Sequence, residues 1–330
     1  MKIVMNQMMT VSAPPHIYGT DTIERRMRDV LIALAPASIM AVVVYGVPAF
    51  LVMLNSVVAA MLAEYLFQRV SGKPVTLNDC SAAITGLLIG LNLSPSVPFW
   101  IPIIGSFFAI IVVKQLFGGL GSNFINPALA ARAFLVVSSP IHMTNWVLPD
   151  ATTSATVISG ATILGHIKEN PDFIPATAHY MQLLFWKVGG TIGEVSAVAL
   201  IAGGLYLLVR RIVNWRIPVF YIGSFALFSF VFGRTAFFTG NVLFELLAGG
   251  LMLGAFFMAT DYATSPLAHN GKIVFAIGCG FLTVIIRVYG GYPEGVSFAI
   301  IIMNLFVPLI DKYIRPRVYG HKRTPQGGKA

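Results

Sequence analysis

Long apolar runs, broken by short polar or glycine- and proline-bearing stretches, fill the chain from Val30 to Leu309. A membrane-spanning helix needs about 20 mostly apolar residues, and fewer where it is short or broken. Read with that length, the pattern predicts about ten spans. They fall near Val30–Gly46, Pro48–Phe67, Ser81–Leu93, Pro98–Val113, Phe124–Val137, Gly193–Val209, Pro218–Phe232, Val242–Thr260, Ile273–Val288 and Gly295–Leu309. Ser81–Leu93 and Phe124–Val137 are short and flanked by Gly, Pro and Asn. Such segments are more often half-helices enclosed by a bundle than rods facing lipid. The pattern therefore reads as an all-α polytopic membrane protein. Residues 1–29 form an N-terminal segment, 30–315 the membrane domain, and 316–330 a basic tail.

The two halves carry similar punctuation. Gly86-Leu-Leu-Ile-Gly90 resembles Gly250-Leu-Met-Leu-Gly254, each followed by a proline-containing break, and Gly118-Gly119 is echoed by Gly290-Gly291. Five spans per half would insert the halves in opposite senses, the layout of two inverted five-helix repeats. Gly-x-x-x-Gly is also a common device for packing helices closely. The letters leave both readings open.

Composition agrees with a lipid setting. The chain has 330 residues, 56% hydrophobic and only 11% charged, with mean hydropathy +0.79, whereas a soluble domain carries about a quarter charged residues. The first 30 residues are polar and basic and lack the apolar run of a cleavable signal. The formal charge of +9 would suit nucleic acid only if it formed one face, and it does not. It sits in short loops and termini, in Arg25-Arg26, Arg210-Arg211, Arg315, Arg317 and Lys322-Arg323. The other set of loops holds only Lys168, Lys187 and Arg234. The positive-inside rule then places both termini in the cytoplasm and the long loop, about 138–190, outside. Cys80 and Cys279 are isolated, and the six histidines have no ligand spacing, so no metal centre is expected from this chain alone. Gly278-Cys-Gly280 lies in a span and lacks the third glycine of a dinucleotide fingerprint.

The outer loop carries the most informative chemistry. Asp150-Ala-Thr-Thr-Ser-Ala-Thr156 fits Asp-x-x-Ser/Thr-x-Ala-Thr, the pattern used by the flavin transferase that joins FMN to threonine through a phosphoester. The Thr156 hydroxyl would receive the phosphate, and small Ser154 and Ala155 leave room for a modifying enzyme. Asp150 is the fixed acid. Ser159-Gly-Ala-Thr162 ends in the same Ala-Thr, but the position six before it is Thr156 rather than an acid. Thr156 is therefore preferred over Thr162, with its place in the long outer loop as a second filter; without the rest of the chain, a plain solvated Ser/Thr loop would be the default reading.

Three further segments, GGLGSNFINPALAAR at 118–132, GGLMLGAFFMATDYATSP at 249–266 and GYPEGVSFAI at 291–300, resemble the signatures of the NqrB/RnfD family. The resemblance runs from about Arg28 to Arg315, and the short N-terminal region is more like the D-type member of the Rnf complex than the B-type member of sodium-pumping NADH:quinone reductase. It implies a urea-transporter-like fold in the cell inner membrane and covalent FMN at the threonine, with a second, non-covalent flavin such as riboflavin. It also implies electron flow between ferredoxin and NAD coupled to Na⁺ or H⁺. Partners would be the other Rnf subunits and the flavin transferase, with no nucleic acid. Asp261 is followed by Tyr262-Ala263 where a proline is expected.

Charged groups within spans are costly and usually pair or line a pathway. Arg287 and Arg132 are candidates for contact with the flavin, where a guanidinium can neutralise phosphate or a reduced ring. Asp261, Glu64, Glu245 and Asn126 are candidates for an ion pathway; capping and pairing are the plain alternatives, as for Asp79 and Glu294. No residue is expected to be catalytic by itself. The rival reading is a redox-inactive solute channel of the same bundle.

Overall fold

The computed structural model describes residues 22–147, 159–160, 164–165, 183–184, 189–233, 237–238, 240–291 and 294–314. Helix α1 (Ile23–Tyr45) starts at Thr22, whose side chain accepts from Arg25 N, and Glu24 lies in its first turn. Both features satisfy the exposed amides and positive end of a helix. α1 thus begins earlier than the apolar pattern places the first span. Gly46, with φ +69°, turns the chain straight into α2 (Val47–Val70), where proline occupies the first turn. That left-handed conformation favours glycine, and proline costs little where no helical partner awaits its nitrogen.

The next elements are short. α3 (Ser81–Leu91) is preceded by Asp79, whose Oδ1 accepts from Ser81 N and Oγ, the capping role open to it in the sequence. α4 (Trp100–Phe107) continues as a π-helix, Phe108–Gln115. α5 (Pro127–Ser138) follows Asn126, which accepts from Ala128 N and Leu129 N. α6 (Pro140–Thr144) leads to a two-residue strand pair, β1 (Trp146–Val147) with β2 (Ser159–Gly160), antiparallel.

A 3-10 turn, Ile192–Glu194, enters α7 (Ala197–Val209), followed by α8 (Arg216–Val231). The span predicted as continuous over Val242–Thr260 is interrupted. α9 (Val242–Leu247) stops, Ala248 is extended, Gly249 has φ +72°, and α10 (Leu251–Leu253) runs into a π segment, Gly254–Met258. α11 (His269–Tyr289) and α12 (Val296–Tyr313) complete the described helices.

α1 packs on α7, α2 on α3 and α4, α8 on α9 and α11, α11 on α12, and α5 on α12. Lipid offers no hydrophobic gain for helices to associate, so close approach and dispersion must hold them. A Cβ on Gly86 would lie 2.6 Å from Ser56 O, and one on Gly203 only 2.0 Å from Ala33 O. The glycine of each contact is what lets the two backbones meet. Outward, large apolar side chains such as Val43, Leu51 and Leu305 are exposed. α1, α2, α11 and α12 are long and apolar enough to cross a membrane, and α3, α4 with its π-helix, α5, α7 and α8 are shorter apolar helices. The protein is a multi-pass, predominantly helical membrane protein.

Candidate functional site

Several of the core's buried polar residues form a file that begins at a cavity, while others, such as Thr283 with Tyr221, pair separately. The cavity, about 110 Å³, is lined by Lys114, Asn123, Asn126, Asp261 and Tyr262 on its polar side and by residues such as Phe257 on its apolar side. Arg26, near the start of α1, also borders it. Asp261 follows the π segment, and its oxygens accept from Ala263 N at 3.4 Å and Thr264 Oγ1 at 3.3 Å. Burial pushes the Asp261 carboxyl up from the usual carboxylate range, against those hydrogen bonds and one from Asn123.

Beside the cavity lies a tight ionic knot. Glu64 Oε1 accepts from Lys114 Nζ at 2.8 Å and Gln115 Nε2 at 2.6 Å, and Lys114 Nζ also donates to Ser81 Oγ at 2.6 Å. All four residues are buried. Lys114 falls just past the predicted span Pro98–Val113, but the structure places it inside the bundle. The π-helix presents Lys114 and its neighbour Gln115 together to α2. π turns often mark functional positions.

From the cavity the file moves inward through amides. Asn126 caps α5 and its Nδ2 donates to Met258 O at 3.2 Å, tying the start of one short helix to the π segment of the other half. The Asn304 amide, oriented with its nitrogen toward Thr264 O, accepts from Asn126 N at 3.2 Å. Asn92, the C-cap of α3, reaches Met258 Sδ at 3.8 Å and its Oδ1 accepts from Arg132 Nη1 at 2.7 Å. Arg132 Nη2 donates in turn to Glu294. The backbone carbonyl and thioether of Met258 therefore separate two amides that belong to the two short helices.

Arg287 forms a second buried ionic site. It is 1% exposed, and its Nη1 donates to Glu245 O at 2.7 Å and Oε2 at 3.3 Å while Nη2 donates to Ala248 O at 3.0 Å. The guanidinium also lies over the Phe225 ring, 5.0 Å from its centroid. These carbonyls are the ones freed where α9 breaks. Arg287 replaces the missing helical donors, which explains why the apolar pattern of Val242–Thr260 does not make a continuous helix.

The candidates from the sequence divide three ways. Asp261 and Asn126 border the cavity together. Glu64 and Glu245 each pair with a buried cation, the plain alternative for both, and the described contacts of Arg132 and Arg287 are to protein groups. Asp150, Ser154, Ala155 and Thr156 lie outside the described residues. Asn92, Lys114 and Gln115 were not singled out by sequence, although a polar residue ending a short apolar run is the signal that marks Asn92.

Comparison with known proteins gives the family. Residues 10–320 match the model of the NQR2, RnfD, RnfE family. The chain is 44% identical to the D-type member of the Na(+)-translocating ferredoxin:NAD(+) oxidoreductase complex of Acetobacterium woodii, over 99% of this chain and 100% of that protein. It is 41% identical to the D-type member of the proton-translocating ferredoxin:NAD(+) oxidoreductase complex of Clostridium ljungdahlii, over 97% and 98%. It is 36% identical to the D-type member of an ion-translocating oxidoreductase complex of Halorhodospira halophila, over 96% and 97%. The chain is a member of the NQR2, RnfD, RnfE family and is most like its RnfD proteins.

Proposed function

We propose that this chain is the D-type membrane component of an ion-translocating ferredoxin:NAD oxidoreductase complex, working with the other subunits of that complex. The full-length match to D-type relatives carries the reading. The buried polar file is its physical counterpart, because ionisable and amide groups are retained inside a membrane bundle where they line a path or set a switch.

In this reading Thr156 carries FMN by a phosphoester, installed by a flavin transferase that reads Asp150, Ser154 and Ala155. Bound FMN supplies one-electron chemistry at the outer face. A second, non-covalent flavin such as riboflavin accompanies it, with no contacts assigned to it. Asp261 attracts a cation to the cavity it borders, and the Asn126–Met258–Asn92 junction forms the constriction through which it must pass. Glu64 and Glu245 hold the flanking helices by pairing with Lys114 and Arg287. The pairing of α2 with α3 and α4, matched by α8 with α9 and α11, supports two inverted five-helix repeats of urea-transporter type. Both termini lie in the cytoplasm, by the distribution of Lys and Arg.

In-gel ultraviolet fluorescence of the denatured chain, co-expressed with the transferase, tests the cofactor. A fluorescent band that Thr156→Ala removes and Thr162→Ala keeps is expected; no band in the parent chain overturns covalent FMN. The names of the relatives from Acetobacterium woodii and Clostridium ljungdahlii divide between Na⁺ and H⁺, so vesicles of the purified complex must be assayed for both. Electron transfer without uptake of either ion would leave a redox protein with no translocating role.

A further inference from the structure

Two cations face one another where α8 and α11 begin. Arg216 opens α8, and Lys272 lies one turn into α11, half-buried. The charged groups acting on Lys272 are Arg216 and Asp311. Asp311 turns its carboxylate to Leu267 N, which donates to Oδ1 at 3.1 Å and Oδ2 at 3.4 Å. Among the described residues neither Arg216 nor Lys272 belongs to an ion pair, and no hydrogen bond engages the Lys272 ammonium. Like charges at close quarters repel, the more so where water is partly excluded.

A third donor adjoins them. Arg216 Nη1 lies 3.3 Å from Nδ1 of His269, the first residue of α11. A guanidinium only donates, so Nδ1 accepts and the ring keeps an Nε2–H to offer. Guanidinium, ammonium and imidazole N–H together suit the oxygens of a phosphate. Arginine can bond two of them with its planar fork, and lysine adds a point charge.

The surroundings say what carries that phosphate. Trp215, exposed and directly before α8, lies beneath the Arg216 guanidinium, 5.2 Å from its ring centroid. Tryptophan is enriched where a membrane meets water. Beyond the cations both helices turn apolar side chains outward, Val219 and Leu227 on α8 and Val274, Ile277 and Phe281 on α11. The three on α11 recur at helical spacing and share one face. By the distribution of Lys and Arg this end of both helices is cytoplasmic, the side where basic pockets between helices meet anionic headgroups. Free phosphate or an acidic peptide would match the donors and leave the apolar faces without a role; a phospholipid matches both.

We propose that Arg216, His269 and Lys272 bind the phosphodiester headgroup of an anionic phospholipid, whose acyl chains lie along the outward faces of α8 and α11. The phosphate replaces repulsion between two cations by attraction of both, and so ties the ends of the two helices together. This adds a lipid to the partners above and does not depend on the flavin or on the coupling ion.

The full chain is placed in phosphatidylcholine nanodiscs doped with phosphatidylglycerol, and retained lipid is counted by native mass spectrometry. The parent chain is expected to keep phosphatidylglycerol in preference to phosphatidylcholine. Lys272→Gln and Arg216→Gln should each lower that preference about fivefold, the scale of one basic residue at a membrane surface. The control, Arg69→Gln with Lys73→Gln, removes two exposed cations near the end of α2 and should leave it unchanged. An equal loss in the control, or no preference in the parent, overturns the site. So does displacement of the lipid by millimolar inorganic phosphate, which would identify a free anion as the occupant. If Arg216→Gln does not fold, Lys272→Gln decides, because its side chain has no hydrogen bond to lose. Photoactivatable phosphatidylglycerol in vesicles of the intact complex should label peptides of α8 or α11. Labelling there in the chain alone but not in the complex would give the face to another subunit and overturn the lipid.

Discussion

Asn92 Oδ1 accepts from Arg132 Nη1 at 2.7 Å, joining the C-terminal end of α3 to the middle of α5. The contact fixes an arginine inside the bundle with one amide on one side and the Glu294 carboxylate on the other. Neither short helix spans a membrane alone, and this bond helps make them one unit. Asn92→Leu removes the acceptor without emptying the space. Loss of a hydrogen bond to a buried charged group costs about 1–3 kcal/mol, so the thermal midpoint of the detergent-solubilised chain should fall measurably. An unchanged midpoint would mean that Glu294 alone suffices to hold Arg132.

Arg287 serves two freed carbonyls and a carboxylate at once. Lysine keeps the charge but offers a point donor in place of a planar fork. Arg287→Lys should therefore weaken the break between α9 and α10, and Arg287→Met should do so more severely. Stranding the partner of a buried ion pair costs about 3–5 kcal/mol. Limited proteolysis of the purified chain, followed by mapping of the cut sites, checks this: new cleavage near Ala248–Gly250 is expected. Protection equal to the parent chain would show that the break is held by packing alone.

For Glu64 and Lys114 the pairing and the pathway make different demands. Glu64→Gln strands a buried Lys114 and should cost about 3–5 kcal/mol. A double substitution, Glu64→Leu with Lys114→Leu, removes both charges and should recover most of that stability. Ion uptake by the double variant then separates the roles. Uptake close to the parent level identifies the pair as structural, the outcome expected from its closed geometry; loss of uptake with restored stability places it on the pathway.

Burial raises the Asp261 carboxyl, so its neutral form persists to higher pH than in an exposed aspartate. Only the ionised form attracts a cation. Uptake should accordingly fall as pH drops, starting at a higher pH than an exposed aspartate would impose, and recover as pH rises. Asp261→Asn should lower uptake throughout and abolish that acid limb. A variant retaining the parent pH profile would assign the titration to another group.

Much of the architecture is legible in the letters because it depends on local run length. Ser81–Leu91 and Pro127–Ser138 emerge as short helices where the apolar runs are short and edged by Asn, Gly and Pro. Asn126-Pro127 marks a helix start by the chemistry of its own two side chains. The region 242–260 is different. Apart from Glu245 its hydrophobicity is unbroken, and the local warnings are the glycines Gly249, Gly250 and Gly254; whether a glycine bends or merely packs depends on what stands opposite.

The sequence by itself determined a helical membrane protein and which segments are too short to cross alone, since these follow from composition and the spacing of apolar residues; its family came from the likeness of the segments at 118–132, 249–266 and 291–300 to family signatures. Only the tertiary structure decided the partners of the buried charges. Arg132 and Glu294 lie 162 positions apart, and Arg287 completes carbonyls about 40 positions before it. Inside lipid a charge must find compensation wherever the fold brings it, and no local pattern encodes that distance.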